Sequence, residues 1–305
     1  MLFNWNQKEQ RTAAKKLGAV MANLAKRVPE NVLGDFFVDS TCIDCDACRQ
    51  IAPEVFGQAT ETSYVSHQPE TSEARRSALH ALLSCPTGSI GCLGDNDAKS
   101  VMADFPLVVE DPVYYCGFNS PESFGGNSYC IRHPDGNWLI DSPKFIKPIV
   151  RRLEELGGVD FIFLTHRDDV ADASQFADHF KAKRIIDRRE LDSQPDAEII
   201  PEGDEPTSIA KDFMVIPTPG HSEGHCCLLF AERFLFTGDH LYWNRDQQQL
   251  DAFRDYCSYS WEVQRNSMRR LAQFSFEWIL PGHGQRVRLP ASTMAEQMAH
   301  LVERM

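Results

Sequence analysis

Short apolar runs recur along the second two-thirds of the chain, each closed by a turn signal. They are LVV (107–109), WLI (138–140), FIFL (161–164), FMVI (213–216), CCLLF (226–230), FLF (234–236) and WIL (278–280). Their shortness and their β-branched and aromatic content predict buried strands. Helically spaced patterns lie between them at 143–156, 172–182 and 260–273, and residues 291–305 read as a C-terminal helix. Strands alternating with helices make residues 105–290 an α/β unit. The N-terminal third has a different character. Residues 8–27 (KEQRTAAKKLGAVMANLAKR) form a basic amphipathic helical pattern within a helical zone over 1–33, expected to pack on the body of the protein. Residues 34–94 carry clustered cysteines and run out into GCLGDNDAKS, which reads as a linker.

Composition narrows the partners. The 305 residues carry a formal charge of −13, which argues against nucleic acid, since phosphate binding needs a basic face. No apolar run reaches the roughly 18 residues of a membrane span, and the first residues, MLFNWNQKEQRTAAKK, lack a secretory apolar core. A cytoplasmic, reducing setting follows, in which the ten cysteines point to metal or redox chemistry rather than disulfides.

Four of those cysteines are spaced for a cluster. Cys42-Ile-Asp-Cys45-Asp-Ala-Cys48 puts three thiols on one tight loop, and Cys85-Pro86 supplies a distant fourth. This is the ligation pattern of a [4Fe–4S] cubane, whose iron prefers soft thiolates. A structural zinc site would more often use two separate Cys pairs. DSTCIDCDACRQIAPEVF and SCPTGSIG resemble bacterial single-cluster [4Fe–4S] ferredoxins. The resemblance covers about residues 35–92 and implies a strand, a cysteine loop, a short helix, a second strand and a helix leading to Cys-Pro. The segments FFVDS, ACRQIAPEVF, SYVSHQ and SEARRSALHALLSC fill those places. Cys92 falls outside the pattern and reads as a small core residue.

A second constellation sits at predicted strand ends. FIFL leads into Thr165-His166-Arg167-Asp168-Asp169, FMVI into His221, FLF into Asp239-His240, and WIL into His283. Four strand ends that each deliver a metal-type side chain predict one shared site. TPGHSEGH, FTGDH and PGHG are similar to motifs of the metallo-β-lactamase superfamily, which includes glyoxalase II. GGNSYCIRHPDGNWLIDSP (125–143) looks like its opening hairpin, with Asp141 as the structural acid. The resemblance implies a four-layer αββα sandwich with a zinc or iron site. It makes His221 and His283 ligands and Asp239 a ligand or bridge, and leaves His225 and His240 outside the ligand set.

The remaining motif departs from the family's His-x-His-x-Asp-His. Aligned without gaps, His166 is kept, Asp168 replaces the second His, and Val170 and Ala171 replace the Asp-His pair. One ion is then held by His166, Asp168, His221 and Asp239. A second would keep only Asp239 and His283. A two-residue slip would bring in Asp172 but leave Ala173 in place of the His. The expectation is a mononuclear site on a fold that runs α+β, then α/β. Three functions fit: a metal-dependent hydrolase acting on a small-molecule substrate, a redox protein passing electrons from the cluster to non-haem metal or a partner protein, and a non-catalytic redox-sensing scaffold.

Overall fold

The computed structural model describes residues 22–94 and 98–305. The chain divides into two compact units, Met1–Met102 and Ala103–Met305. No helix among the described residues is long and apolar enough to cross a membrane.

The first unit runs β1 (Phe36–Val38), α1 (Ala47–Ile51), β2 (Phe56–Gln58), β3 (Ser63–Val65), α2 (Ser72–Ser84), β4 (Ile90–Cys92) and α3 (Ala98–Met102). β1 pairs antiparallel with β4, and β2 with β3. Phe36, Val38, Val55, Phe56, Val65, Leu79 and Ile90 form its core. Asn31 ties two strands to the preceding loop: its side-chain oxygen accepts from the N–H of Val38 (3.0 Å) and of Val65 (2.9 Å). Helix α2 starts at Thr71, whose hydroxyl accepts from Ala74 N at 3.1 Å. It stops at Cys85, which the following proline holds in an extended conformation (φ −63°, ψ 118°).

Two expectations change here. The stretch read as a linker contains β4, because Gly91 and Cys92 pair with Phe37 and Phe36, and it runs into α3. Most of the helix expected over residues 8–27 lies outside the described residues. Within the described part of the 1–33 zone, only Leu24–Lys26 turns, as a 3-10 helix. Arg27 then bridges to Asp39, Val28 N donates to Val38 O at 3.0 Å, and Pro29 has no N–H to continue a helix.

The second unit is the four-layer αββα sandwich. One sheet contains β5 (Leu107–Glu110), β6 (Val113–Tyr115), β7 (Tyr129–Ile131), β8 (Trp138–Ile140), β9 (Phe161–Phe163) and β10 (Lys183–Ile185) in the order β10-β9-β8-β7-β6-β5. Helices α4 (Lys147–Glu155) and α5 (Ala173–Phe180) belong to its outer layer and bury Ile149, Leu153 and Phe176. The other sheet contains β11 (Thr207–Ala210), β12 (Phe213–Pro217), β13 (Cys226–Phe230), β14 (Phe234–Gly238), β17 (Trp278–Pro281) and β18 (Val287–Arg288), in that order. A two-stranded ribbon, β15 (Tyr242–Asn244) and β16 (Gln249–Asp251), follows β14. Helices α6 (Trp261–Leu271) and α7 (Ala291–Arg304) complete the unit.

The period-2 pattern assigns the faces. Ile216, Cys227, Leu229, Leu235 and Ile279 pack with Met268, Leu271, Met294, Met298 and Leu301 of the helices. Their neighbours point to the opposite sheet: Phe213 stacks on Trp138 at 4.0 Å, and Phe236 meets Tyr129 edge-on at 5.4 Å. Such pairs add about 0.5–1.5 kcal/mol each beyond area burial. The sheets are thereby locked in register, with the ends of β9, β12, β14 and β17 converging.

Candidate metal centres

In the first unit, Cys42, Cys45, Cys48 and Cys85 line one cavity together with Ile43, Ser63 and Ser89. The loop that wraps it needs left-handed backbone at Asp44 (φ 55°) and Asp46 (φ 66°), a conformation Asp tolerates better than most residues. Arg49 holds both acids, donating to Asp46 at 2.6 Å and Asp44 at 2.5 Å, and also reaches Ser63 Oγ at 2.6 Å. Backbone N–H groups already point at sulfur: Ser63 N to Cys42 Sγ at 3.4 Å and Ser89 N to Cys85 Sγ at 3.3 Å. Burial pushes the Cys45 thiol up to about 12 and the neighbouring Cys85 adds to it; burial also raises Cys42 and Cys48. Cys42, Cys45 and Cys48, buried in this pocket, resist ionising alone. Iron that binds them as thiolates removes that penalty, so the pocket fits the cluster.

In the second unit the strand ends bring six ligand-type side chains together. His166 follows β9, and a 3-10 turn, Arg167–Asp169, carries Asp168 and Asp169 directly after it. His221 follows β12, Asp239 follows β14 and His283 follows β17. Two groups form among the described residues. His166, His221 and Asp239 are one; Asp169, Asp239 and His283 are the other; within each, the ligand atoms lie within 4.8 Å of one another. Asp239 Oδ2 is 3.7 Å from both His166 Nε2 and His221 Nε2, and 3.9 Å from His283 Nε2. Asp168 Oδ2 flanks the first group, 3.5 Å from His221 and 3.8 Å from His166. Asp169 Oδ1 is 4.0 Å from His283 Nε2.

The surroundings orient these groups. Asp141 is buried and accepts from Thr165 N at 2.9 Å and from its hydroxyl at 3.1 Å. The Thr165 hydroxyl in turn contacts His166 Nδ1 at 3.0 Å, which leaves Nε2 for the centre. Glycines make room. A Cβ at Gly126 would meet Asp169 Oδ1 at 2.6 Å, and one at Gly282 would meet Asp169 Oδ2 at 2.5 Å and Asp239 Oδ1 at 2.8 Å.

Whether the residues fit metal is answered by their unpaired atoms. His166 Nε2, His221 Nε2, Asp239 Oδ1 and both carboxylate oxygens of Asp169 are buried without a hydrogen-bond partner. Buried polar atoms are normally paired, so a converging set of orphans of these types fits a cation. The electrostatics agree. Burial, then the charges of Asp239, Asp141 and Asp168, hold Asp169 well above the carboxylate range. Burial raises Asp141 to about 8 against its Thr165 hydrogen bonds. Burial pushes His166 down to about 4, although Asp239 opposes it, so it stands as a neutral donor. Burial also opposes protonation of His221, but Asp168 and Asp239 outweigh it and raise its pKa; His221 in turn lowers that of Asp168. A mixed imidazole and carboxylate set of this kind suits zinc or iron.

All five residues named from the sequence, His166, Asp168, His221, Asp239 and His283, therefore meet at one centre. Beside Asp239 and His283, the expected pair on the second side, stands a third ligand-type side chain, Asp169, its ligand atom within 4.8 Å of theirs. A gapless alignment leaves Asp169 out of the ligand set by putting Val170 at the family's Asp position, whereas the 3-10 turn swings Asp169 inward and Ala171 (φ 35°) redirects the chain. Asp172 points elsewhere, accepting from Phe145 N and Gln175 Nε2, each at 2.7 Å. His225 and His240 are buried behind His166 in a row of rings, His166–His225 at 5.1 Å and His225–His240 at 5.3 Å.

Comparison with known proteins bears on both halves. Residues 38–92 match the family model described as the 4Fe-4S single cluster domain of Ferredoxin I, and residues 122–283 match that of the Metallo-beta-lactamase superfamily. Hydroxyacylglutathione hydrolases of Citrobacter koseri and Salmonella arizonae are 28% and 27% identical over 128 residues, 41% of this chain and 51% of each relative. The chain thus spans about half the length of the curated relatives it matches. Among solved structures, the BLEG-1 B3 metallo-beta-lactamase is similar at 19% identity and a TM-score of 0.47, covering 58% of this chain and 93% of that one. A metallo-beta-lactamase family protein from Thermus thermophilus has 17% identity and a TM-score of 0.48, covering 65% and 80%.

Proposed function

Because the chain belongs to the metallo-beta-lactamase superfamily and carries a single-cluster ferredoxin domain, we propose that it is a metal-dependent hydrolase with a two-ion centre, coupled to a [4Fe–4S] cluster. The observation that carries this reading is Asp239, shared between two ligand groups, the second of which is completed by the buried Asp169. His166, Asp168, His221 and Asp239 would hold one ion, and Asp169, Asp239 and His283 the other. Bound ions would supply a nucleophilic hydroxide at neutral pH and polarise a carbonyl or phosphoryl oxygen. The chain's own residues do the positioning: Thr165 fixes the His166 ring, and the glycines at 126 and 282 let Asp169 stand at the base of the site. Cys42, Cys45, Cys48 and Cys85 would hold the cluster. The hydrolase names of the relatives favour a thioester or ester substrate.

Anaerobically purified protein of known metal content, assayed against thioesters, esters and phosphoesters, tests this reading. Turnover that His221→Ala abolishes supports it. Turnover unchanged in His221→Ala, or absent from metal-loaded protein across all three substrate classes, rejects it.

One observation favours a redox reading instead. The donor set holds three carboxylates, Asp168, Asp169 and Asp239, against three imidazoles, a balance that suits iron. A one-electron cluster on the same chain has no part in plain hydrolysis. Stoichiometric iron at the His/Asp centre, with a reduced cluster that is reoxidised only when that iron is present, would decide for it.

A further inference from the structure

Glu190 belongs to neither ligand group, yet it joins the two segments that carry the first. It is fully buried, at 0% exposure. One carboxylate oxygen accepts from Ser222 Oγ at 2.8 Å and from Gly224 N at 2.7 Å, and the other accepts from Arg167 Nε. Ser222 and Gly224 follow His221 in the β12–β13 loop. Arg167 stands between His166 and Asp168. Its guanidinium is further held by Asp192 Oδ2 at 3.0 Å and by Arg189 O at 2.8 Å. Glu190 itself is fixed in the 3-10 turn Arg188–Ser193, which Asp187 caps by accepting from Arg189 N at 2.8 Å. Deeper in the sandwich, a backbone bond from Cys226 N to Thr165 O (2.9 Å) joins the same two segments.

We propose that Glu190 is a positioning residue that sets the distance between the 166–169 turn and the 221–225 loop, and so holds His166, Asp168 and His221 on a common centre. The inference rests on the reading of a metal centre, not on the reaction assigned to it. A buried carboxylate receiving three donors, one of them a guanidinium, forms strong charge-assisted hydrogen bonds. Neither segment can move without leaving a buried charge unpaired, which is costly. Partners of this kind behind metal ligands typically change affinity by about 10–100-fold when removed.

The test uses the full chain with its cluster intact. The His/Asp centre is emptied with a chelator and titrated with Zn²⁺ alone in competition with a chromophoric chelator, then with Co²⁺ for its visible spectrum. Glu190→Gln keeps the shape and removes the charge. It is expected to weaken Zn²⁺ binding by about 10-fold or more and to alter the Co²⁺ spectrum, while iron and sulfide per chain stay at the wild-type level. Where Glu190→Gln does not fold, Ser222→Ala and Arg167→Met each release one side of the clamp. Each is then expected to weaken Zn²⁺ binding several-fold. Wild-type affinity and a wild-type Co²⁺ spectrum in Glu190→Gln, or in both alternative variants, overturn the proposal. A wild-type chain that binds neither ion overturns the centre together with the positioning role. Intact binding without hydrolysis overturns the hydrolase reading alone.

Discussion

Removing metal from the His/Asp centre is expected to make the second unit lose stability as the pH rises from about 6.5 to about 8. The cause is the buried acid cluster. An unfolded Asp titrates near 3.9, whereas burial holds folded Asp141 at about 8 and Asp169 well above the normal range. Through this window the folded chain keeps protons that the unfolded chain has released. Stability then falls with rising pH by about 1.4 kcal/mol per unit for each retained proton, or about 2 kcal/mol over the window for Asp141 alone. Asp169 adds to that loss. His221, raised by Asp168 and Asp239, acts with the same sign as the acids, whereas the histidines that burial depresses act with the opposite sign and elsewhere. His166 and His240 are depressed to about 4 and about 3, so the stability they contribute is lost only as pH falls below the unfolded value of about 6.5. Metal replaces the retained protons and flattens the profile. Urea midpoints followed by tryptophan fluorescence, with and without chelator, measure the effect, because Trp138, Trp243, Trp261 and Trp278 all lie in this unit. A metal-free protein as stable at about pH 8 as at about pH 6.5 refutes the reasoning.

Other variants separate the parts. Asp169→Ala removes one of three ligand atoms from the second group and should reduce the metal bound beyond the cluster from two ions to one, whereas Asp172→Ala should leave it unchanged; elemental analysis reads both. Cys45→Ser should abolish the cluster's visible absorbance and leave the near-UV circular dichroism of the stacked Trp138 and Phe213 intact, since the two lie in separate units. Arg49→Met takes a cation from beside Cys48 and leaves Asp44 and Asp46 without their guanidinium partner, so the midpoint potential of the cluster should become more negative in an EPR-monitored titration.

Much of the molecule is legible in one dimension because its signals are local. Cys42, Cys45 and Cys48 share a single loop, and Pro86 forces Cys85 out of α2 by backbone sterics alone. The seven apolar runs become strands because alternate side chains face two buried layers, as Phe213 toward Trp138 and Ile216 toward Met268. β4 is hidden inside a Gly- and Asp-rich stretch because its pairing with β1, more than fifty residues away, supplies what its propensity lacks. The first helical zone fails at residues 22–33 for a related reason: Arg27 and Val28 find partners in and beside β1 that a helix would deny them.

The divide is clearest at the His/Asp centre. Residue type and position after an apolar run pointed to one shared site, because a strand end projects whatever follows it toward the same edge of the sheet, and the resemblance to metallo-β-lactamase motifs narrowed it to His166, Asp168, His221, Asp239 and His283. The number of ligand groups was not available that way. It depends on a three-residue turn that aims Asp169 inward, on glycines at 126 and 282 that leave space for its carboxylate, and on an Asp239 placed to face both sides. These are distances between residues far apart in the chain, and only packing of the two sheets sets them. Glu190 shows the same limit, since a lone acid in a loop acquires its meaning from Arg167, Ser222 and Gly224, which the folded chain alone brings to it.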